Sequence, residues 1–180
     1  KYTKITQRRS TPPGQSPSAR PKKQSEFGKQ LREKQKAKRM YGVSERQFRR
    51  LYEEASRSKS STGSRLLQLL ELRLDNVLFR AGFANTRIQA RQFVSHRHFV
   101  LNDRRVDVPS ISIRPGDVIS VRDRFEANPV FTDLDKRTKH VPKWLKVDTK
   151  KKTITIDRLP EADELEMAIT APLIVEYYSR

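Results

Sequence analysis

His96 and His98 stand two residues apart, a spacing that in a strand turns both imidazoles to one face, where they could share a metal ion. The chain holds 3 His and no Cys in 180 residues, so no third ligand of that kind lies nearby and no metal site is expected. Contact of these rings with a polar partner, or simple exposure, is the better reading. Glu161, Asp163, Glu164 and Glu166 could serve as general acid and base. They follow Pro160 in a polar stretch with nothing apolar to raise a pKa, and are expected to be solvated surface charge. No glycine-flanked serine elbow, phosphate-cradling glycine loop or paired metal-ligand spacing occurs. The chain is therefore expected not to be an enzyme and to need no cofactor.

The chemistry that is abundant is cationic. Lys and Arg total 39 against 21 Asp and Glu, a formal charge of +18, which is more than solubility requires and seeks a polyanion. Nucleic acid fits, since each Lys or Arg that reaches a phosphate releases condensed counterions. An anionic membrane fits less well, because no apolar run approaches spanning length and the most basic stretch lacks a broad apolar face. The absence of cysteine agrees with a reducing compartment, and a cytoplasmic location is expected.

Charge is uneven along the chain. Residues 1–60 carry 18 basic and 5 acidic side chains, residues 61–120 carry 9 and 5, and residues 121–180 carry 12 and 11. The electrostatic footprint is thus N-terminal. All 9 basic residues between 61 and 120 are Arg. The guanidinium fork grips phosphate bidentately and stacks on bases, so this stretch is suited to shaped contacts where the flanks supply point charge.

The elements that must position these groups follow from periodicity. Residues 10–25 carry four prolines and no large apolar side chain, which predicts an extended basic tail over 1–24. Ser25 to Tyr41 reads as a helix with a thin apolar stripe at Phe27, Leu31, Ala37 and Tyr41, a cationic remainder and Gly42 as its stop. Ser44 with Gln47 forms a capping box before a second helix with Phe48, Leu51, Tyr52 and Ala55 on one face. Thr62 to Ala81 reads as one long core helix. Gly82 and a second capping box, Thr86 with Gln89, then open a helix with Ile88, Phe93 and Val94 inward, so that the pair resembles a helix-turn-helix. Beyond His98 the period becomes that of strands. Phe99–Leu101 and Arg104–Val108 form a hairpin around Asn102-Asp103, Ile111 and Ile113 alternate, and Pro115-Gly116-Asp117 turns into Val118–Val121. Residues 122–143 are expected to be irregular, with strands at 144–147, 153–156 and 173–178. The expected class is α+β: basic N-terminal helices, an inserted RNA-binding module of a helix pair plus a small antiparallel sheet, and the basic tail. The expected division is 1–24, then 25–73 completed by 159–180, and 74–158.

Five segments carry a family resemblance. They are Leu31-Arg32-Glu33-Lys34-Gln35-Lys36, Tyr41-Gly42-Val43-Ser44-Glu45-Arg46-Gln47-Phe48, Arg73-Leu74-Asp75-Asn76-Val77, Arg104-Arg105-Val106-Asp107-Val108-Pro109-Ser110 with Pro115-Gly116-Asp117, and Val175-Glu176-Tyr177-Tyr178-Ser179-Arg180. In this order and spacing they resemble the bacterial ribosomal protein S four family over nearly the whole chain. The resemblance implies binding to the five-prime domain of small-subunit ribosomal RNA at a multi-helix junction, early in assembly. It also implies contacts with neighbouring small-subunit proteins and with messenger RNA near the entry path, an influence on decoding accuracy and, in some members, repression of their own messenger. Many members hold zinc through an N-terminal cysteine cluster that this chain lacks, so zinc is not carried over. Ser16 and Pro17 replace the usual His-Gly, and Arg97 stands where Gly commonly separates two histidines.

The residues expected to contact RNA are Arg8, Arg9, Lys22, Lys23, Lys29, Arg32, Lys36, Arg39, Tyr41, Arg46, Arg49, Arg50 and Lys59 from the tail and helices. Arg73, Arg87, Arg91, Arg97, His98, Arg104 and Arg105 join them from the module. The rival readings are a DNA-binding helix-turn-helix protein, with no evident dimerisation segment, and an RNA-modifying enzyme using the module as an accessory, for which no catalytic segment remains.

Overall fold

The computed structural model describes residues 23–132, 134, 138 and 141–179. The extended tail expected over 1–24, with Arg8, Arg9 and Lys22, falls almost wholly outside the described residues.

Helix α1 (Glu26–Met40) starts where the Ser25 side chain accepts from the Gly28 amide, and ends at Tyr41 and Gly42, whose φ of +61° reverses the chain. Helix α2 (Glu45–Ser56) opens with the complete Ser44–Gln47 capping box. The expected single helix over 62–81 is instead two, α3 (Thr62–Glu71) and α4 (Leu74–Arg80). The break has a physical cause. Arg73 adopts an extended conformation, the Leu74 amide donates to Ile111 O, the Ile113 amide donates to Leu72 O, and Arg73 pairs with Ser112 in an isolated bridge. The 109–113 segment thus takes up backbone groups that a continuous helix would have used. It also explains why Ile111 and Ile113 bracket a bridge rather than belonging to a strand.

Gly82, at φ +80°, turns α4 into helix α5 (Arg87–Ser95), whose Thr86 cap accepts from the Gln89 amide. Its inward side chains are Ala90 and Val94, with Phe93 half-buried. Ile88, expected inward, is 81% exposed, because this short helix rests on one narrow face. Strands β1 (Phe99–Leu101) and β2 (Arg104–Arg105) make the expected hairpin. Asn102 and Asp103 both have positive φ, as a tight two-residue hairpin turn demands. Strand β3 (Val118–Val121), a short helix α6 (Pro129–Thr132), β4 (Leu145–Asp148) and β5 (Thr153–Ile156) complete a five-stranded antiparallel sheet in the order β2-β1-β3-β5-β4. Trp144, expected in a strand, lies in the turn before β4 and is fully buried.

The segment expected as a closing strand is helix α7 (Ala171–Tyr178). Pro172 sits in its first turn, where a missing N–H costs nothing, and the buried Ala171 and Ile174 recur at helical spacing. The class is α+β, as expected.

Two hydrophobic cores result. One gathers Leu74, Leu78, Phe83, Val94, Phe99, Ile119, Trp144 and Ile154 from α4, α5 and the sheet. The other gathers Ala37, Tyr41, Phe48, Leu66, Leu70, Leu165 and Ile174, so α1, α2 and α3 are closed by residues about a hundred positions downstream. Within α1 the charged face is interrupted. Lys34 is only 4% exposed, with its Nζ 2.8 Å from Glu45 and 4.5 Å from the centre of the Tyr177 ring.

Burial of Glu45 alone would raise its carboxyl pKa, but hydrogen bonds from Lys34, Tyr178 and Lys38 outweigh it and hold the group at about 2, against an ordinary 4.5. A folded pKa below the unfolded one stabilises the fold fully above the unfolded value, and that contribution is lost as pH falls through the folded value. The stability difference between wild type and E45Q should therefore be constant near neutrality and shrink steadily below about pH 4.5. The Glu45 side chain is 46% exposed, so solvent screening keeps the difference small. Urea unfolding across that pH range measures it, and a difference that stays flat down to about pH 2 would show that the Lys34–Glu45–Tyr178 contacts contribute nothing.

Candidate nucleic-acid interface

The cations anticipated from sequence divide into two groups. Arg73, Arg87, Arg91 and the phenol of Tyr41 converge on the junction of the two cores. Tyr41 donates to Glu71 Oε1 at 2.7 Å, and Asn76 Nδ2 donates to Glu71 Oε2 at 2.6 Å. Arg80, which sequence reasoning did not single out, grips the same carboxylate with two bonds of 2.9 and 2.6 Å and reaches Glu166 at 3.2 Å. Arg87 donates to Asn76 Oδ1 at 2.7 Å and to Glu166 at 3.2 Å, with its guanidinium 4.8 Å from the Tyr41 ring centre and 4.5 Å from that of Phe79. Arg73 pairs with Asp75 at 3.0 Å, and Arg91 donates to Gly42 O at 3.1 Å.

This knot leaves Arg73 4% and Tyr41 3% exposed, so both are turned inward. Burial, followed by Glu71, pushes the Tyr41 phenol well above its ordinary pKa and keeps it a donor. Burial works against the charge on Arg80, yet its bonds to Glu71 and the nearby Glu166 raise its pKa. The acidic stretch expected as solvated charge is partly drawn in too: Glu166 bridges Arg80 and Arg87, and Glu164 holds Arg158. Beside the knot a groove of about 370 Å³ runs between Arg39, Gly42, Asn85, Thr86, Ile88 and Arg91.

The second group faces outward. Lys23, Arg32, Arg39, Arg46, Arg50, Lys59, Arg104 and Arg105 are exposed and have no carboxylate partner among the described residues. Lys29, Lys36, Arg49 and Arg97 are exposed but paired, with Glu26, Glu33, Glu53 and Asp107. Such surface pairs are weak enough for a phosphate to replace. Arg32, Lys36 and Arg39 line one shallow groove along α1. Arg46 and Arg50 are one turn apart on α2 and therefore share a face.

His98 is half-buried and stacked, 4.0 Å from the Phe125 ring centre and 5.0 Å from Phe93. Burial first, then His96 and Arg122, lowers its pKa, which favours a neutral ring. Among the described residues, no group of three or more His, Cys, Asp or Glu could hold a metal. No helix among them is long and apolar enough to cross a membrane.

Arg122 and Arg124, which sequence reasoning did not single out, both lie beside the Phe125 ring, and Arg122 donates to Arg97 O at 2.9 Å. The signal was present, since every Lys or Arg from Arg65 to Arg124 is Arg.

A family model described as the ribosomal protein S4/S9 N-terminal domain matches residues 1–71, and one described as the S4 domain matches residues 72–119. A small ribosomal subunit protein uS4 from Desulfitobacterium hafniense is 48% identical over 177 residues, 96% of this chain and 84% of the relative. The chain belongs to the uS4 family. Other uS4 relatives agree. That from Chloroflexus aurantiacus is 48% identical over 100% of this chain and 90% of its own length, and that from Herpetosiphon aurantiacus is 49% identical over 98% and 87%. The boundary between the two family models, at residues 71 and 72, falls where α3 gives way to the extended Arg73. The junction knot of this uS4 family member is therefore built from both matched regions, with Glu166 joining it from beyond them.

Proposed function

We propose that this protein is a structural, non-catalytic component of the small ribosomal subunit in the cytoplasm. It binds the five-prime domain of small-subunit ribosomal RNA at a multi-helix junction, helps nucleate assembly and influences decoding accuracy. Its neighbours are other small-subunit proteins, with messenger RNA near the entry path. The division of labour proposed is a basic tail over 1–24, a helical body of 25–73 with 159–180, and an RNA-binding module over 74–158. One observation carries the reading: exposed Arg and Lys with no carboxylate partner among the described residues, set on helices and a hairpin, present an array of phosphate-gripping groups. Selectivity comes from the shape of folded RNA, which such an array can match without reading bases. The helix-turn-helix alternative loses support because Arg87 and Arg91, the cations on its would-be recognition helix, are engaged at the junction.

The test is binding of the protein to a five-prime-domain junction fragment, to unrelated structured RNA and to equal-length duplex DNA over a salt series. Tight, salt-sensitive preference for the junction fragment is expected. R46A/R50A should flatten the slope of log affinity against log salt by about 1 to 2. Equal binding to all three nucleic acids would defeat the junction assignment.

A further inference from the structure

The two cores share no buried apolar residue among those described, so the angle between them is set by polar contacts rather than by common packing. Along the chain they meet at the extended Arg73 between α3 and α4. Across the gap they meet at the junction knot, and one member of that knot comes from far downstream. Glu166 offers a single oxygen, Oε2, to Arg80 of α4 and to Arg87 of α5, at 3.2 Å each.

The segment that carries Glu166 is pinned to the helical core. Leu165 and Ile169 are buried there. The Thr170 amide donates to Glu33 Oε1 at 2.8 Å, and Lys36 Nζ, paired with Glu33, donates to Ala168 O. Residues 165–170 thus run from α1 to the two arginines of the sheet core. Their hold on those arginines is the weaker end. Glu71 takes Arg80 with bonds of 2.6 and 2.9 Å, and Asn76 Oδ1 takes Arg87 at 2.7 Å, so both keep their shorter bonds when Glu166 leaves. The Glu166 side chain is 22% exposed, which lets water solvate the freed carboxylate. The contact can therefore open without leaving a buried charge bare.

We propose that residues 165–170 form a strap that locks the angle between the two cores, with Glu166 as its releasable catch. Closed, the strap fixes the distance between Arg46 and Arg50 on α2 and Arg104 and Arg105 on β2; open, it lets the cores turn about Arg73. This goes beyond the RNA-binding reading and stands without it, since it concerns the protein alone.

The chain has no cysteine, so E54C on α2 and K151C in the turn between β4 and β5 give two unique sites for nitroxide labels, one on each core. Pulsed electron paramagnetic resonance then reads the distance between the cores. With the strap intact, a single narrow distribution is expected at low salt. E166A should broaden it about twofold or split it. E33A should do the same by freeing the other end of the strap. D163A, which removes an acid from the same stretch but outside the strap, should leave the distribution unchanged. Raising the salt should broaden the distribution of the intact strap towards that of E166A, because the catch is an ion pair open to solvent. Far-UV circular dichroism and Trp144 emission of E166A should match wild type. A distribution in E166A that superimposes on that of the intact strap would overturn the proposal. Loss of either folding signal would overturn it too, since Glu166 would then support the fold itself and not act as a catch.

Discussion

Arg80→Ala should destabilise the protein by about 3 kcal/mol, although Arg80 lies in neither hydrophobic core. Its partner Glu71 has a side chain 1% exposed, and Arg80 supplies two of its bonds. Removing the cation leaves a buried carboxylate with the Tyr41 hydroxyl and Asn76 amide as its remaining side-chain donors among the described residues. Breaking a buried pair from one side costs more than the pair contributes, because the remaining charge keeps its desolvation penalty. For a chain of this length, that loss should lower the thermal midpoint by roughly 6 to 12 °C. The double variant E71Q/R80M should recover part of it, since no bare charge then remains. Trp144, the single tryptophan, is buried in the sheet core and reports on that core by fluorescence, while far-UV dichroism follows mainly the helices. In R80A the two transitions should separate, because the knot joins the cores. Coincident transitions with a loss under about 1 kcal/mol would mean that Glu71 finds other solvation.

Ile174→Ala should cost about 2–5 kcal/mol, the range for a large-to-small change in a closed core. Ile174 is fully buried among Ala37, Leu66 and Leu70, where α7 lies against α1 and α3. Gly63 permits that approach, as a Cβ there would come 3.0 Å from the Ala171 side chain. The dichroism transition should fall further than the Trp144 transition, because the cavity opens in the helical core. An equal fall of both would show that the two cores unfold as one unit. A loss well below 2 kcal/mol would show that α7 collapses onto the space.

The same helix shows where sequence reasoning stops. Leu173-Ile174-Val175 is apolar and includes two β-branched residues, which favours a strand locally, but the sheet edge is already β4 and the open face is a groove between helices. Tertiary context overrides such short runs. The capping residues Ser25, Ser44 and Thr86 and the hairpin turn at Asn102-Asp103 were legible because their chemistry is local. The break at Arg73 was not legible, since it depends on backbone bonds to a segment some forty residues away. Among the candidate contact residues, residue type identified the cations but not their direction. Arg87 and Arg46 look alike in sequence, yet one lies against two aromatic rings and the other is exposed with no carboxylate partner among the described residues.

The helical core is assembled from two stretches of chain with the whole sheet core between them. A ribosome making this protein therefore releases α1, α2 and α3 long before α7, while the residues of the sheet core emerge as one uninterrupted block. The first helices made must wait, with Leu66 and Leu70 uncovered, until Ile174 arrives. During that interval their cationic surfaces are already available to nearby RNA, so the nascent chain can meet its polyanion before its own fold has closed.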